Sequence, residues 1–298
     1  MIKFENTEVY GWEAAIRGMR MPMQSWAKSD SGFGCDYSDQ HFCSVCEDGH
    51  TEACPNCFKQ YKLGPNDLDL MMRLRNAGTD HRKFMRMITV TVDITAPMYW
   101  WKEFDTYKVA TVRNSTSTMH KIHAKEFTLE DFSCEHLLND GYGNLLATID
   151  LLNKTRDIYL HGGEIITTGI DVIEVEPKDK RVWWQLIQLL PSSYNQKATM
   201  LLNYEVLANM YRSRRGHKLD EWSVGFVNWV KDLPYSEIIT GSDISKIPIC
   251  HEIMNEAERR ITKEMIIEAM AEHVYAPMVN QVLDKECPIK EDENDKGE

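Results

Sequence analysis

Apolar and polar positions change period several times along the chain. Lys3 to Tyr10 reads as a short strand, and Trp12, Ala15, Ile16 and Met19 then recur on one side of a helix. Residues 29–65 show no period and are rich in Gly, Ser, Asp and Cys, which predicts a long irregular insertion. A helix follows, with Pro65, Asn66 and Asp67 as cap candidates, Leu68, Met71, Met72 and Leu74 as its apolar stripe, and Gly78 as its stop. Met87 to Ile94 alternates and is rich in β-branched residues, so it reads as a strand that Pro97 ends. Residues 98–108 predict a helix or a packed turn and helix. The run Asn114-Ser115-Thr116-Ser117-Thr118 predicts a loop or helix cap, because hydroxyl side chains compete for backbone hydrogen bonds. From residue 130 the pattern is helical, over 135–157, 180–190 (stopped by Pro191), 194–215, 221–231 and 252–275. The tail from Lys285 is charged and is expected to be disordered. The sum is an α+β chain, a small antiparallel sheet with a largely helical second half. It forms one domain over 1–284, with a Cys-rich insertion at about 29–65 and a disordered acidic tail over 285–298.

Composition narrows the function classes. With 34 Lys+Arg against 46 Asp+Glu, the net charge is −12, which disfavours a surface that coats long nucleic acid. A small nucleotide needs only a local pocket and stays open. The hydrophobic fraction of 43% and the 8 Trp, 12 Tyr and 9 Phe are those of a folded globular chain. No apolar run approaches the roughly 18–20 residues that span a bilayer, and the N-terminus is too acidic for a signal peptide. A cytoplasmic location is the expectation.

The cysteines add a second feature. Cys43-Ser-Val-Cys46 and Cys54-Pro-Asn-Cys57 form two CxxC pairs separated by seven residues. Such pairs can present four thiolates to one tetrahedral zinc, and a metal would give the irregular insertion a shape. His41 and His50 are substitute ligands, and free reduced thiols are the alternative. Disulfides are not expected without a secretory signal. No strand-then-helix pattern flanks either pair, which argues against a redox role.

Two blocks carry a resemblance. The first is the strand MITVTVDI, then Ala96-Pro97, then Lys102-Glu103-Phe104-Asp105-Thr106-Tyr107, and Ser115 after seven more residues. The second is Leu190-Pro191, Thr199, Asn203-Tyr204-Glu205, Asn209, Arg214 and Trp222. Their skeleton resembles the flavin-dependent thymidylate synthase family. That family has a strand and a Ser-Arg step, then Gln-x-x-Arg-His-Arg, and Ser after seven residues. Later it has Leu-Pro, Thr, an Asn-x-Arg helix and a closing Ala-Gln-x-Glu-Ile-Arg. The chain departs from it in charge, since Arg-His-Arg reads Asp105-Thr106-Tyr107 and the Arg of the Asn-x-Arg helix is Glu205. The closing Arg has no clear counterpart.

The resemblance implies FAD, a pyrimidine nucleotide that is methylated or otherwise modified, a folate partner and a homo-oligomer. Nearby residues can replace the missing cations and hold ligand: Lys102, Lys108 and Arg113 for phosphate, Ser115 and Ser117 as hydroxyl donors, Asn203 to orient a ring, and Arg214. The alternative is a non-catalytic homologue of that fold, acting as a zinc-bearing interaction protein.

Overall fold

A computed structural model describes residues 2–35, 59–166 and 171–241. All fall in one contact unit, Met1–Ser242; a second unit, Asp243–Glu298, lies outside the described residues. The four-cysteine cluster, the 252–275 helix and the 285–298 tail expected from the sequence also lie outside them.

The elements run in chain order as β1 (Lys3–Tyr10), α1 (Trp12–Arg20), β2 (Gly32–Cys35), β3 (Lys59–Lys62), α2 (Pro65–Asn76), β4 (Thr89–Pro97), α3 (Met98–Phe104), β5 (Val112–Ser115), α4 (Thr118–Lys121) and α5 (Asn139–His161). They continue with β6 (Gly163–Ile166), β7 (Val172–Val175), α6 (Lys180–Leu189), β8 (Asn195–Asn203), α7 (Tyr204–Arg214), a π-helical turn (Glu221–Phe226), α8 (Val227–Lys231) and α9 (Glu237–Thr240). The main sheet is antiparallel with the order β1-β4-β8-β5.

β4 shows why the sheet has one dry face. Val90, Val92 and Ile94 are buried, and the residues between them are half-exposed. Opposite β4, the register runs from Thr89↔Asn203 to Pro97↔Asn195, so Ala198, Met200 and Leu202 of β8 join the same buried face. The side chains of α1, α2, α3, α7 and the π turn cover it, with Ile16, Met71, Trp100, Leu207 and Trp222 among the contributors. The other face is polar: Asp93 accepts hydrogen bonds from Thr199 (2.6 Å) and Asn6 (2.9 Å). One face in and one face out is the pattern an antiparallel sheet permits. A second core, including Phe127, Phe132, Ile149 and Leu186, joins α5 and α6 to the 122–134 segment.

Three expectations change. The single helix over 194–215 is strand β8 followed by helix α7. Ala198, Met200, Leu201 and Leu202 favour helix, but pairing with β4 on one side and β5 on the other decides otherwise. Asn203 marks the switch, because its side chain accepts the Val206 amide at 3.0 Å and caps α7. The polar run expected as loop or cap divides: Asn114 and Ser115 lie in edge strand β5, while Ser117 caps α4 by accepting the His120 amide at 3.1 Å. The 29–65 stretch contributes a two-stranded ladder, Gly32↔Lys62 to Cys35↔Lys59. The hairpin β6–β7 has no counterpart in the sequence reading.

Two aspartates change roles at α2. Pro65, a cap candidate in the sequence, is instead the first helical residue, and Asp67 is fully buried rather than capping. Asp30, far back in the sequence, accepts the amides of Asn66 (2.8 Å) and Asp67 (3.0 Å) and so supplies the cap. Asp67 in turn accepts Arg20 Nε at 2.6 Å on one oxygen, and on the other the Ser29 and Ser31 hydroxyls (both 2.7 Å) and the Asp30 and Ser31 amides (both 3.1 Å).

Candidate functional site

α3 follows directly from β4 and α7 directly from β8, and their C-terminal ends meet around Arg214. Its Nη1 lies 2.7 Å from Glu103 Oε2, and its Nε donates to the Tyr107 hydroxyl at 3.0 Å. The guanidinium also sits 5.0 Å from the Trp222 ring centroid and 5.5 Å from that of Tyr107. Only 13% of the Arg214 side chain is exposed, against 44% of Glu103. His217, one turn further on, brings Nε2 to 4.0 Å from the same Glu103 oxygen. Trp222 is fully buried on the π turn and stacks on Trp100 at 4.5 Å. The indole N–H groups of Trp100 and Trp222 have no acceptor among the described residues. π-helical turns widen the backbone and recur at functional sites. Next to it, Tyr99 donates to Glu221; burial, and then that carboxylate, push the phenol up to about 12.

Arg113 forms a neighbouring grouping on β5. It lies 3.9 Å over the Trp101 ring, 3.2 Å from Asp105 Oδ1, and donates to Gln196 Oε1 at 2.6 Å. Its Nε is buried and has no acceptor among the described residues. Burial lowers the guanidinium pKa and Asp105 opposes that shift. A third grouping surrounds Glu205, a buried carboxylate held by Arg82 Nε at 3.2 Å and by Arg86. Arg82 also donates to Asn209 at 3.2 Å. Burial would raise the Glu205 pKa, but the hydrogen bonds from Arg86 and Arg82 prevail and hold it low.

The sequence-predicted residues therefore separate. Arg214 joins Tyr107; Arg113 joins Asp105; Asn203 is buried as the α7 cap. Lys102, Lys108 and Ser115 are exposed, and among the described residues no side-chain partner holds either ammonium. Ser117 is a helix cap. Sequence reasoning missed Glu103, His217, Arg82 and Arg86. Glu103 and Tyr107 stand four residues apart, and Arg214 and His217 three apart, but Tyr107 and His217 fall past the ends of α3 and α7, so helical periodicity carried no signal for them. Among the described residues no group of His, Cys, Asp and Glu is placed to hold a metal ion, and Cys43, Cys46, Cys54 and Cys57 lie outside them. A cavity of about 1070 Å³ opens elsewhere, beside Tyr10, Trp12, Phe33, Tyr61 and Tyr235; none of the predicted site residues lines it.

No family model and no curated protein matches the chain. Among solved structures it is similar to a flavin-dependent thymidylate synthase from Helicobacter pylori complexed with FAD and dUMP. That likeness has a TM-score of 0.50 and 13% identity, over 80% of this chain and 98% of the other. A second structure of a thymidylate synthase from the same organism, also with FAD and dUMP, gives a TM-score of 0.52 at 12% identity, over 81% and 98%. The chain has the α+β fold of these enzymes, as its sequence skeleton implied.

Proposed function

We propose that the chain handles a pyrimidine nucleotide together with a flavin, as a divergent homologue of the flavin-dependent thymidylate synthases. The observation that carries this reading is the fold likeness, which spans 98% of enzymes solved with FAD and dUMP. Fold alone does not bring function, so the donor set has to fit as well. Among the described residues, Arg113 Nε is a buried donor without an acceptor, and Lys102 and Lys108 are exposed ammonium groups without a carboxylate. Each is a candidate to offer a flavin or nucleotide phosphate the charge that Asp105, Tyr107 and Glu205 do not. The flavin supplies the hydride chemistry when bound. The chain's own contribution is placement: Ser115, exposed on edge strand β5, as a hydroxyl donor, Ser117 and Asn203 setting the starts of α4 and α7, and Arg214 held against two aromatic rings. A homo-oligomer in the cytoplasm, with a folate as second substrate, completes the proposal.

One observation favours a second reading, a non-catalytic homologue that serves as an interaction protein bearing zinc on its CxxC pairs. Arg113, Arg214, Arg82 and Arg86 already face carboxylates of this chain. The two readings part in a simple assay. Purified protein incubated with FAD and then desalted should keep the flavin absorbance and should bind dUMP. A colourless protein that binds no dUMP at millimolar concentration supports the second reading.

A further inference from the structure

The Glu103–Arg214 pair is unequally exposed. Arg214 is held by the Tyr107 hydroxyl and the Trp222 ring, while its ion-pair partner is a carboxylate that is itself 44% exposed. A guanidinium carries five N–H donors and no acceptor, and a carboxylate only accepts. Side by side they form a neutral edge that both gives and takes hydrogen bonds. We propose that Glu103 sets the ligand selectivity of the Arg214 site, admitting an uncharged imide or amide edge and excluding phosphates and carboxylates.

The proposal rests on the nucleotide-handling reading and deepens it. An incoming anion must displace a carboxylate tethered to α3, which competes at a high effective concentration. It must also approach that carboxylate's own charge beside a guanidinium whose side chain is only 13% exposed. An uncharged pyrimidine edge meets neither obstacle, because its N–H can donate to Glu103 while its carbonyl oxygen accepts from the guanidinium. His217, 4.0 Å from the same oxygen, lies beside the pair. A nucleotide would then place its ring here and its phosphate on other cations.

The test uses the full chain and two probes, deoxyuridine and inorganic phosphate, each titrated by calorimetry into wild type, Glu103→Gln and the double variant Glu103→Gln/Arg214→Met. Wild type should bind deoxyuridine and show no saturable phosphate binding in the millimolar range. Glu103→Gln should weaken deoxyuridine about tenfold or more and gain phosphate binding, and the double variant should lose that gain. Unchanged affinities for both probes in Glu103→Gln would reduce Glu103 to a strut between α3 and α7 and overturn the proposal. So would phosphate binding that persists in the double variant. Wild type that binds neither deoxyuridine nor FAD refutes the function proposed above; the phosphate comparison needs neither ligand and still decides the role of Glu103.

Discussion

Replacing Asp67 by Asn tests how the ladder flanking the Cys-rich segment is tied to the body of the protein. The carboxylate has no exposed surface, and its Arg20 partner is 4% exposed. One Asp67 oxygen takes the guanidinium, and the other takes two hydroxyls and two amides from Ser29, Asp30 and Ser31. Asparagine keeps the volume but turns one acceptor into a donor that points at donors, and it leaves Arg20 charged and buried. Breaking one side of a buried ion pair costs about 3–5 kcal/mol. For a domain of this size that is a fall in Tm of roughly 6–20 °C. The pH profile adds an independent check. Burial by itself would raise the Asp67 pKa, but the hydrogen bonds from Ser31, Ser29, Arg20 and the Asp30 amide outweigh it and hold it below the ordinary value. A carboxyl lowered in the folded state contributes stability that is complete above the unfolded value and is lost as pH falls through the folded one. Wild type should therefore lose stability on acidification below about pH 4 more steeply than Asp67→Asn. Denaturant melts of both proteins at neutral and acid pH give the answer. A variant within 1 kcal/mol of wild type at neutral pH, with an unchanged acid slope, would refute the burial argument.

Glu205→Arg restores the family-like residue but sets a third guanidinium beside Arg82 and Arg86; urea melts should show a loss of roughly 3–5 kcal/mol, against about 1–3 for Glu205→Gln. Lys108→Met and Arg113→Met should each weaken FAD or dUMP about tenfold to more than a hundredfold, the equivalent of about 1.5–3 kcal/mol for a charge-assisted contact, and equal affinities would remove them from the site. Metal analysis should find about one zinc per chain, lost in Cys46→Ser; zinc retained after removal of all four thiols would end that expectation. Truncation after Asp284 should change stability by no more than a few tenths of a kcal/mol, and a large drop in Tm would show that the tail docks.

The arginines explain why the family-like skeleton survives without the family's charges. Glu205, at the position of an Arg, is matched by Arg82 and Arg86 from the turn before β4. Asp105, where the Arg-His-Arg block begins, is matched by Arg113 from β5. Each of these acids is paired with a cation of this chain. Glu205, which is buried, would be penalised by desolvation if left without partners.

By itself the sequence determined the elements whose period is unambiguous. Strand β4, helices α1 and α2 and the Pro191 stop after α6 can be read from spacing, because one buried face imposes a two-residue or 3.6-residue repeat. The skeleton of Leu-Pro, Thr, Asn and Ser was enough to imply the fold. Only the tertiary structure decided that residues 195–203 extend rather than coil, since β8 gains two ladders that no local preference records. It also decided that Asp30 caps α2, that Asp67 is buried, and that Arg214 finds Glu103. These are contacts between residues up to 111 positions apart. Local spacing cannot specify them, because whether a charge is solvated or paired depends on which elements the core brings together.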